Sequence, residues 1–319
     1  MRMNSAVAND AWIAADEAIR KGYPKIRSFL VAQGGTARFE AYYNGNHSST
    51  LHDLRSATKS VLSILLGIAD AHGHLPDLDQ PVWNSVNDHA PRRPDPVWSE
   101  LTLRELLTMT TGLYWQTGPR LGERFLRRFH LSRNWADFIL RLPVIPEQRG
   151  KFQYCSAGSH LLSVLLTKWT GFSALEYARR YLFHPLGISN VIWTSSPEGH
   201  SSGHIGLYMT SRDLLKIGLL CLQGGCWEGR TLLSRDWLDR SMSPHGPSFN
   251  GYGQYGFHWW SAKSGGIRYS YAHGHGGQQI FIIPDLEAVV VFTSERRVNR
   301  FKNPKALLEK IILPALHPM

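Results

Sequence analysis

Residues 56–71 read SATKSVLSILLGIADA. From Val61 to Ala69 almost every side chain is apolar, so a helix here is hydrophobic nearly all round and belongs at the centre of a domain. Ser56 and Lys59 stand in the pattern S-x-x-K, a spacing that puts both side chains on one face of the first helical turn. A serine hydroxyl becomes a useful nucleophile at neutral pH when a base takes its proton. Lysine can be that base once burial and a nearby dipole lower its pKa. The apolar turns that follow supply the burial. The helix N-terminus supplies a dipole that favours the oxyanion formed on attack. The same pattern also arises as a helix start followed by a surface lysine, so its meaning depends on the rest of the chain.

Upstream of this stretch, Asn9 or Asp10 can cap a first helix through about Arg20. Ile26–Gln33 and Thr36–Tyr43 read as strands around a Gly34-Gly35 turn. Downstream the chain reads as helical. Thr102 with Glu105 and Ser173 with Glu176 form capping boxes, Gly112 can end the first of those helices, and Ser156–Thr170 is a helix ending at Gly171. Strands return at Gly256–Trp260, Arg268–Ala272, Gln279–Ile283 and Ala288–Thr293, and a last helix runs from about Pro304 to Leu313. Strands, helices, then strands again predict an α+β fold: an antiparallel sheet built from both chain ends and flanked by helices, with a helical region inserted. The expected division is a sheet domain of residues 1–55 and 200–319 around a helical insertion of residues 56–199, with the active site between them.

Two further segments can carry chemistry. Tyr154-Cys155-Ser156 precedes an apolar helix, so the Tyr154 phenol can point into a cleft and relay a proton, although a buried tyrosine bonded to backbone reads the same way. Gly274-His275-Gly276-Gly277-Gln278 opens the strand QIFII. Its glycines allow close approach of backbone to substrate, and the N–H of Gln278 can pair with that of Ser56 as an oxyanion hole.

With these pieces in order, the chain resembles the β-lactamase-like serine hydrolases: class C β-lactamases, penicillin-binding DD-peptidases, family VIII esterases and 6-aminohexanoate-dimer hydrolases. The resemblance rests on SATKSVLSILLGIA (56–69), LTLRELLTMTTGL (101–113), FQYCSAGSHLLSVLL (152–166), GLYMTSRDLLKIG (206–218) and HGHGGQQIFIIPDLEAVVVFTSE (273–295), and it covers about residues 28–317. It implies a β-lactamase/transpeptidase-like fold, with Ser56 as acylated nucleophile, Lys59 as its partner and Tyr154 as proton relay. His275, Gly276 and Gly277 fall where that family carries K-T-G. Two departures stand out. His275 replaces the lysine that holds a substrate carboxylate, and Ser156 replaces the Asn of Y-x-N. Both point toward the esterase and amidase branches rather than an efficient β-lactamase. A penicillin-binding-type sensor that keeps the fold is the non-enzymatic alternative.

Gly199-His200-Ser201-Ser202-Gly203 matches the nucleophile elbow of α/β-hydrolases, but that elbow needs a strand before it and a helix after it, and the segment that follows here reads as a strand. The 15 histidines include no H-E-x-x-H, so no metal ligand is assigned. The formal charge of +10 is spread over Arg92, Arg93, Arg120, Arg124, Arg127, Arg128, Arg179, Arg180, Arg296, Arg297 and Lys302, without nucleic-acid-binding motifs. Three cysteines make no disulfide framework. The apolar run is too short to span a bilayer, and MRMNSAVANDAW lacks the apolar core of a secretory signal. The expectation is a cytoplasmic hydrolase without a cofactor. Its substrate would be a small ester or amide, with no nucleic-acid or membrane partner. Tyr252, Tyr255, Trp259, Trp260 and Tyr271 are candidates either for an apolar pocket wall or for simple packing on the sheet.

Overall fold

The computed structural model describes residues 5–89, 91–118, 121–246, 251–296, 298 and 300–316, so Arg120 and Arg297 lie outside the described residues. After α1 (Ser5–Gly22), β1 (Ile26–Gln33) and β2 (Thr36–Tyr42) form a hairpin. Gly34 and Gly35 both take positive φ, 58° and 76°, as a two-residue turn matched to strand twist requires. The short β3 (His52–Asp53) and a 3-10 turn over Arg55–Ala57 lead into α2 (Thr58–Ala71). Helices α3 (Leu103–Thr108), α4 (Leu126–His130), α5 (Trp135–Leu140), α6 (Ser156–Thr170) and α7 (Ala174–Ala178) follow. Next come β4 (Ile192–Trp193), β5 (Leu207–Met209), α8 (Ser211–Leu222), the hairpin β6 (Cys226–Trp227) and β7 (Arg230–Thr231), and α9 (Arg235–Met242). The last strands are β8 (Gln254–Tyr255), β9 (Trp260–Ser264), β10 (Ile267–Gly274), β11 (Gln278–Ile283) and β12 (Ala288–Ser294). The chain closes with α10 (Lys305–Leu307), a π-helical stretch (Leu308–Ile312) and α11 (Leu313–Leu316).

The main sheet has the order β2-β1-β12-β11-β10-β9-β8, and its described pairs are antiparallel. Strand β1 pairs with β12 along its whole length, so the two chain ends are joined across the helical middle. This is the α+β arrangement expected from the alternation of elements. Every residue of β12 is buried, because both faces of the sheet are covered. Period-two alternation splits the strands between two cores. Leu30, Ala32, Ile280, Ile282, Val289 and Val291 pack with α2, α6 and α8. Phe29, Val31, Phe281, Val290 and Phe292 pack with Trp12, Ala15 and Ile19 of α1 and with Leu308 and Ile312 near the C-terminus. A second sheet, β3-β5-β4, joins the short strand just before Ser56 to two strands that follow the helical middle. No helix among the described residues is long and apolar enough to cross a membrane.

Three expectations of local structure need correction. Helix α1 is already running at Ser5, so Asn9 and Asp10 lie inside it rather than at its cap. Helix α3 ends at Met109, which takes the left-handed conformation (φ 57°) ahead of Gly112. The expected strand Gly256–Trp260 is a bend between β8 and β9. His258 there has φ 61°, and the Gly256 N–H bonds to the Trp259 carbonyl. The elbow reading of Ser201 also fails. The residue is buried, its Oγ accepts from Leu175 N, and α8 begins only after β5 has intervened.

Helix α2 is held against α9 at Gly67, where an added Cβ would lie 2.4 Å from both Leu233 Cδ1 and Trp237 Cδ1. Two effects compete in Gly67→Ala. Helix propensity favours alanine by about 1 kcal/mol, and overpacking a filled core costs roughly 1–3 kcal/mol. Because Leu233 and Trp237 are both fully buried, overpacking wins. Urea unfolding of Gly67→Ala should show a lower midpoint. A midpoint equal to or above wild type would mean that α9 yields freely.

Candidate active site

The approach to Ser56 is fixed from two sides. His52 and Asp53 are paired with Met209 and Tyr208, and Leu54 N donates to Leu207 O at 2.9 Å. Arg55 then takes φ 50°, a conformation non-glycine residues enter at a cost. Asp53 Oδ1 supports it by accepting the Arg55 N–H at 2.9 Å. From the sheet side, Gly274 at the end of β10 backs onto this turn so closely that a Cβ would sit 2.1 Å from Leu54 O. Ser56 lies in the 3-10 turn that opens α2 and is half-buried, so it stays within reach of a substrate.

One turn along, Lys59 is 1% exposed. Its ammonium donates to Ser56 Oγ (3.1 Å), Ser156 Oγ (3.1 Å) and His204 O (3.2 Å), which uses all three of its protons. Nζ also lies 4.7 Å from the centroid of the Tyr154 ring, a cation–π distance. Burial pushes the Lys59 pKa down to about 8; Glu123 and Cys155 draw it upward and Arg55 lowers it further. The Tyr154 phenol shows the opposite response. Burial, then the charge of Glu123, drive its pKa far above the usual value, against a hydrogen bond with Ser56 that lowers it. Tyr154 therefore keeps its proton.

Ser156, the first residue of α6, joins Lys59 to a carboxylate that sequence reading did not single out. Its Oγ donates to Glu123 Oε1 (2.7 Å) and its N–H donates to Glu123 Oε2 (2.6 Å). Trp115 Nε1 donates to the same Oε2. Glu123 lies on a loop with no motif around it. A faint signal exists in hindsight: an acidic residue in a basic, aromatic stretch, LYWQ (113–116) to RFLRR (124–128). His204 was missed for a different reason, because it contributes a main-chain carbonyl, which any residue could supply.

The 275–278 segment is not brought onto Ser56 by its side chains. His275 is exposed, its Nε2 donates to Val298 O at 2.8 Å, and its ring meets Phe301. Gly276 and Gly277 back onto Glu295 O and Pro304. The Gln278 side chain clamps the main chain of Ser294, donating to its carbonyl (2.6 Å) and accepting its N–H (2.9 Å). His273 is the side chain of this region aligned with Tyr154. Ring contacts run from Tyr154 to Trp260 (6.2 Å), Trp260 to Tyr252 (5.3 Å) and Tyr252 to His273 (5.3 Å). Trp259, by contrast, is buried in the core on the sheet's other face.

The tautomer of His273 follows from its neighbours. The Lys305 N–H, an unambiguous donor, bonds to Asn303 Oδ1 at 3.0 Å. Asn303 Oδ1 therefore accepts from Gln279 Nε2 (2.9 Å), which fixes the Gln279 amide. The same Nε2 lies 3.0 Å from His273 Nδ1. Nδ1 must accept, so the proton of the neutral ring sits on Nε2. The ring is neutral because burial lowers its pKa to about 3, with help from the charges of His275, Lys305 and Lys59.

A buried acid–base pair with a half-exposed hydroxyl at a helix start can perform acyl transfer. Comparison with known proteins agrees. The Beta-lactamase family model matches residues 27–312. The 6-aminohexanoate-dimer hydrolase of Paenarthrobacter ureafaciens is 25% identical over 285 residues, which cover 83% of this chain and 71% of that protein. A Bacillus anthracis protein provisionally designated a 6-aminohexanoate-dimer hydrolase superposes with a TM-score of 0.79 at 19% identity, covering 95% of this chain and 81% of that one. The D-stereospecific amidohydrolase from Streptomyces sp. gives a TM-score of 0.71 at 16% identity over 98% and 99% of the two chains. At such identities the structural likeness speaks for the fold, while the family match spans most of the sequence. The chain belongs to the Beta-lactamase family and is a serine hydrolase.

Proposed function

We propose that the protein cleaves a small, uncharged ester or amide through an acyl-enzyme on Ser56, with Lys59 as general base. The observation that carries this reading is the 3.1 Å contact between Ser56 Oγ and the fully buried Lys59 Nζ. Lys59 in its neutral form takes the Ser56 proton as Oγ attacks the carbonyl carbon. The oxyanion is met by the Ser56 N–H at the start of α2 and by a main-chain N–H of the 275–278 turn, for which Gln278 is the candidate. Tyr154, hydrogen-bonded to Ser56 and still protonated, passes its proton to the leaving alcohol or amine and regains one from Lys59, which returns Lys59 to its neutral form. Water, deprotonated by the same base, then releases the acid and restores Ser56. The site would lie between the sheet portion (1–55 and 200–319) and the helical portion (56–199).

His273 supports the uncharged substrate. A neutral imidazole with its proton on Nε2 offers one hydrogen bond to a carbonyl or ether oxygen, but no fixed positive charge for a carboxylate. The amidase side of the reading has support in the names of two relatives, a 6-aminohexanoate-dimer hydrolase and a D-stereospecific amidohydrolase.

A neutral alkyl fluorophosphonate should label Ser56, and Ser56→Ala should abolish labelling, as read by peptide mass spectrometry. Since the reactive form of Lys59 is the deprotonated one, the labelling rate should climb as pH passes about 8 and level off above it. Lys59→Ala should slow labelling by roughly 10²–10⁴-fold. A pH-independent rate between 6 and 10 would remove Lys59 as the base. For specificity, His273→Ala should lower kcat/KM on neutral esters by on the order of 10-fold, the worth of one hydrogen bond. His273→Lys should improve turnover of carboxylate-bearing esters relative to neutral ones. An unchanged preference in His273→Lys would take residue 273 out of the pocket.

A further inference from the structure

Lys59 is held by more than its helix, and the most specific of its supports leads away from the reacting atoms. From Nζ the path runs 3.1 Å to Ser156 Oγ and 2.7 Å on to Glu123 Oε1. Directionality along this path is settled by chemistry. An ionised carboxylate only accepts, so the Ser156 hydroxyl must donate to Glu123 and turn its lone pairs toward Lys59. The other carboxylate oxygen takes the Ser156 N–H, a free donor at the start of α6, together with Trp115 Nε1–H. Both oxygens are thus engaged, and the rotamer of Ser156 is determined by them.

The loop that carries Glu123 is built to hold it there. Thr117 and Glu123 form an antiparallel bridge, closed by the Gly118 N–H to Gly122 O at 2.9 Å. Thr117 Oγ1 donates to the carbonyl of Tyr154. One short hairpin therefore grips the main chain at residue 154 through Thr117 and at residue 156 through Glu123. These two residues flank Cys155 and carry the phenol and the hydroxyl that face Lys59.

We propose that Glu123 is the positioning residue of the nucleophile–base pair, acting through Ser156 to hold Lys59 against Ser56 and to set the pH at which Lys59 becomes a base. The proposal rests on the acyl-transfer reading above and adds to it a third group that touches neither substrate nor nucleophile. Its charge is opposite to that of Lys59 and lies one hydroxyl away. The other groups acting on Lys59 work differently. Arg55, paired with Asp53 at 3.6 Å, disfavours the ammonium, and Cys155 pulls in the direction of Glu123 but is a thiol that burial keeps protonated, its pKa pushed up to about 12. His130, His204, His258 and His273 each feel the charge of Lys59 and are held neutral chiefly by burial. Glu123 is thus the carboxylate that favours the charged form of Lys59.

A structural role alone would make Glu123 a cap for α6, and a substrate-binding role would make it a wall of the adjoining cavity. That cavity, about 650 Å³, is bordered by Glu123 with Gln116, Thr117, Arg124 and Gln153. The rate of Ser56 labelling by a neutral fluorophosphonate, followed against pH, separates the three. Glu123→Gln keeps the shape and removes the charge, so the ammonium is less favoured. The rising limb should move down by about one pH unit, and the plateau should fall on the order of 10-fold as Lys59 loses its fixed position. Glu123→Asp should return the limb toward wild type. Ser156→Ala leaves Glu123 its contact with Trp115 and cuts the link, so it should move the limb in the same direction and carries the test if Glu123→Gln does not fold. A limb unmoved in the folded variants overturns the proposal, whatever happens to the plateau. So does an effect confined to the KM of cationic substrates. A wild-type protein that is not labelled at Ser56 overturns the acyl-transfer reading itself, and the proposal with it, which is a different result from a labelled protein whose limb stays in place.

Discussion

An ammonium group with no access to water governs this structure. Moving such a charge out of solvent costs several kcal/mol even after relaxation, unless its protons are bonded and its charge is answered. Lys59 meets both conditions through three separate parts of the chain. Ser56 lies in the turn that opens its own helix, Ser156 begins α6, His204 precedes β5, and the Tyr154 ring lies 4.7 Å away. Tyr154 and Ser156 flank Cys155, but the three stretches are far apart in sequence, so the site exists only when α2, α6 and the small β3-β5-β4 sheet are assembled. Burial does not abolish the charge, nor does pairing fix it. With a pKa of about 8 the group is balanced between two protonation states at neutral pH, the condition under which a base both accepts a proton and gives it up.

The backbone around Ser56 makes the same compromise between stability and function. Arg55 is held at φ 50° immediately before Ser56, a conformation that persists because neighbours over-determine it. Asp53 takes its N–H, Leu54 is tied to Leu207, and β10 presses Gly274 into the concave side, where no side chain would fit. The large sheet and the small one thus meet at a single turn. This explains why a sheet made from both chain ends encloses a helical insertion: strands β10 and β11 must reach the start of α2, and β5 must return to β3, before the serine is oriented.

Much of this was legible in the sequence, and the boundary has a physical cause. Helices α2 and α6, the Gly34-Gly35 turn and the capping boxes at Thr102 and Ser173 depend on local periodicity and on side chains bonding backbone within three residues. The pairing of Ser56 with Lys59 is local too, being one helical turn. Long-range bonds leave no such trace. Glu123 reaches Ser156 across 33 positions through a loop without pattern, and His204 offers a carbonyl, which carries no residue signature. In the strand segment, side-chain identity drew attention to His275 and Gln278. The fold spends the first on Val298 O and the second on the main chain of Ser294, and it is His273, two residues earlier, that lines up with Tyr154. A β-turn reverses direction within three residues, so spacing there cannot say which side chain faces which side.

The histidines complete the electrostatic argument. His130 and His204 face one another at 2.7 Å between their Nε2 atoms, a distance that requires one ring to donate and the other to accept, and so excludes two imidazolium ions. His258 gives Nδ1 to the carbonyl of Leu107, and His273 accepts from Gln279. Four imidazoles thus surround the lysine without adding charge. Were they protonated, each would push a proton off Lys59 and leave it a weaker base toward the Ser56 hydroxyl. Held neutral by burial, they fill the space around the site with polar groups that hydrogen-bond but do not compete. The charge balance around Ser56 is then left to Lys59, Glu123 and the Arg55–Asp53 pair. What such a site offers a bound group is hydrogen-bond geometry rather than added positive charge, and this is the physical ground of the uncharged substrate proposed above.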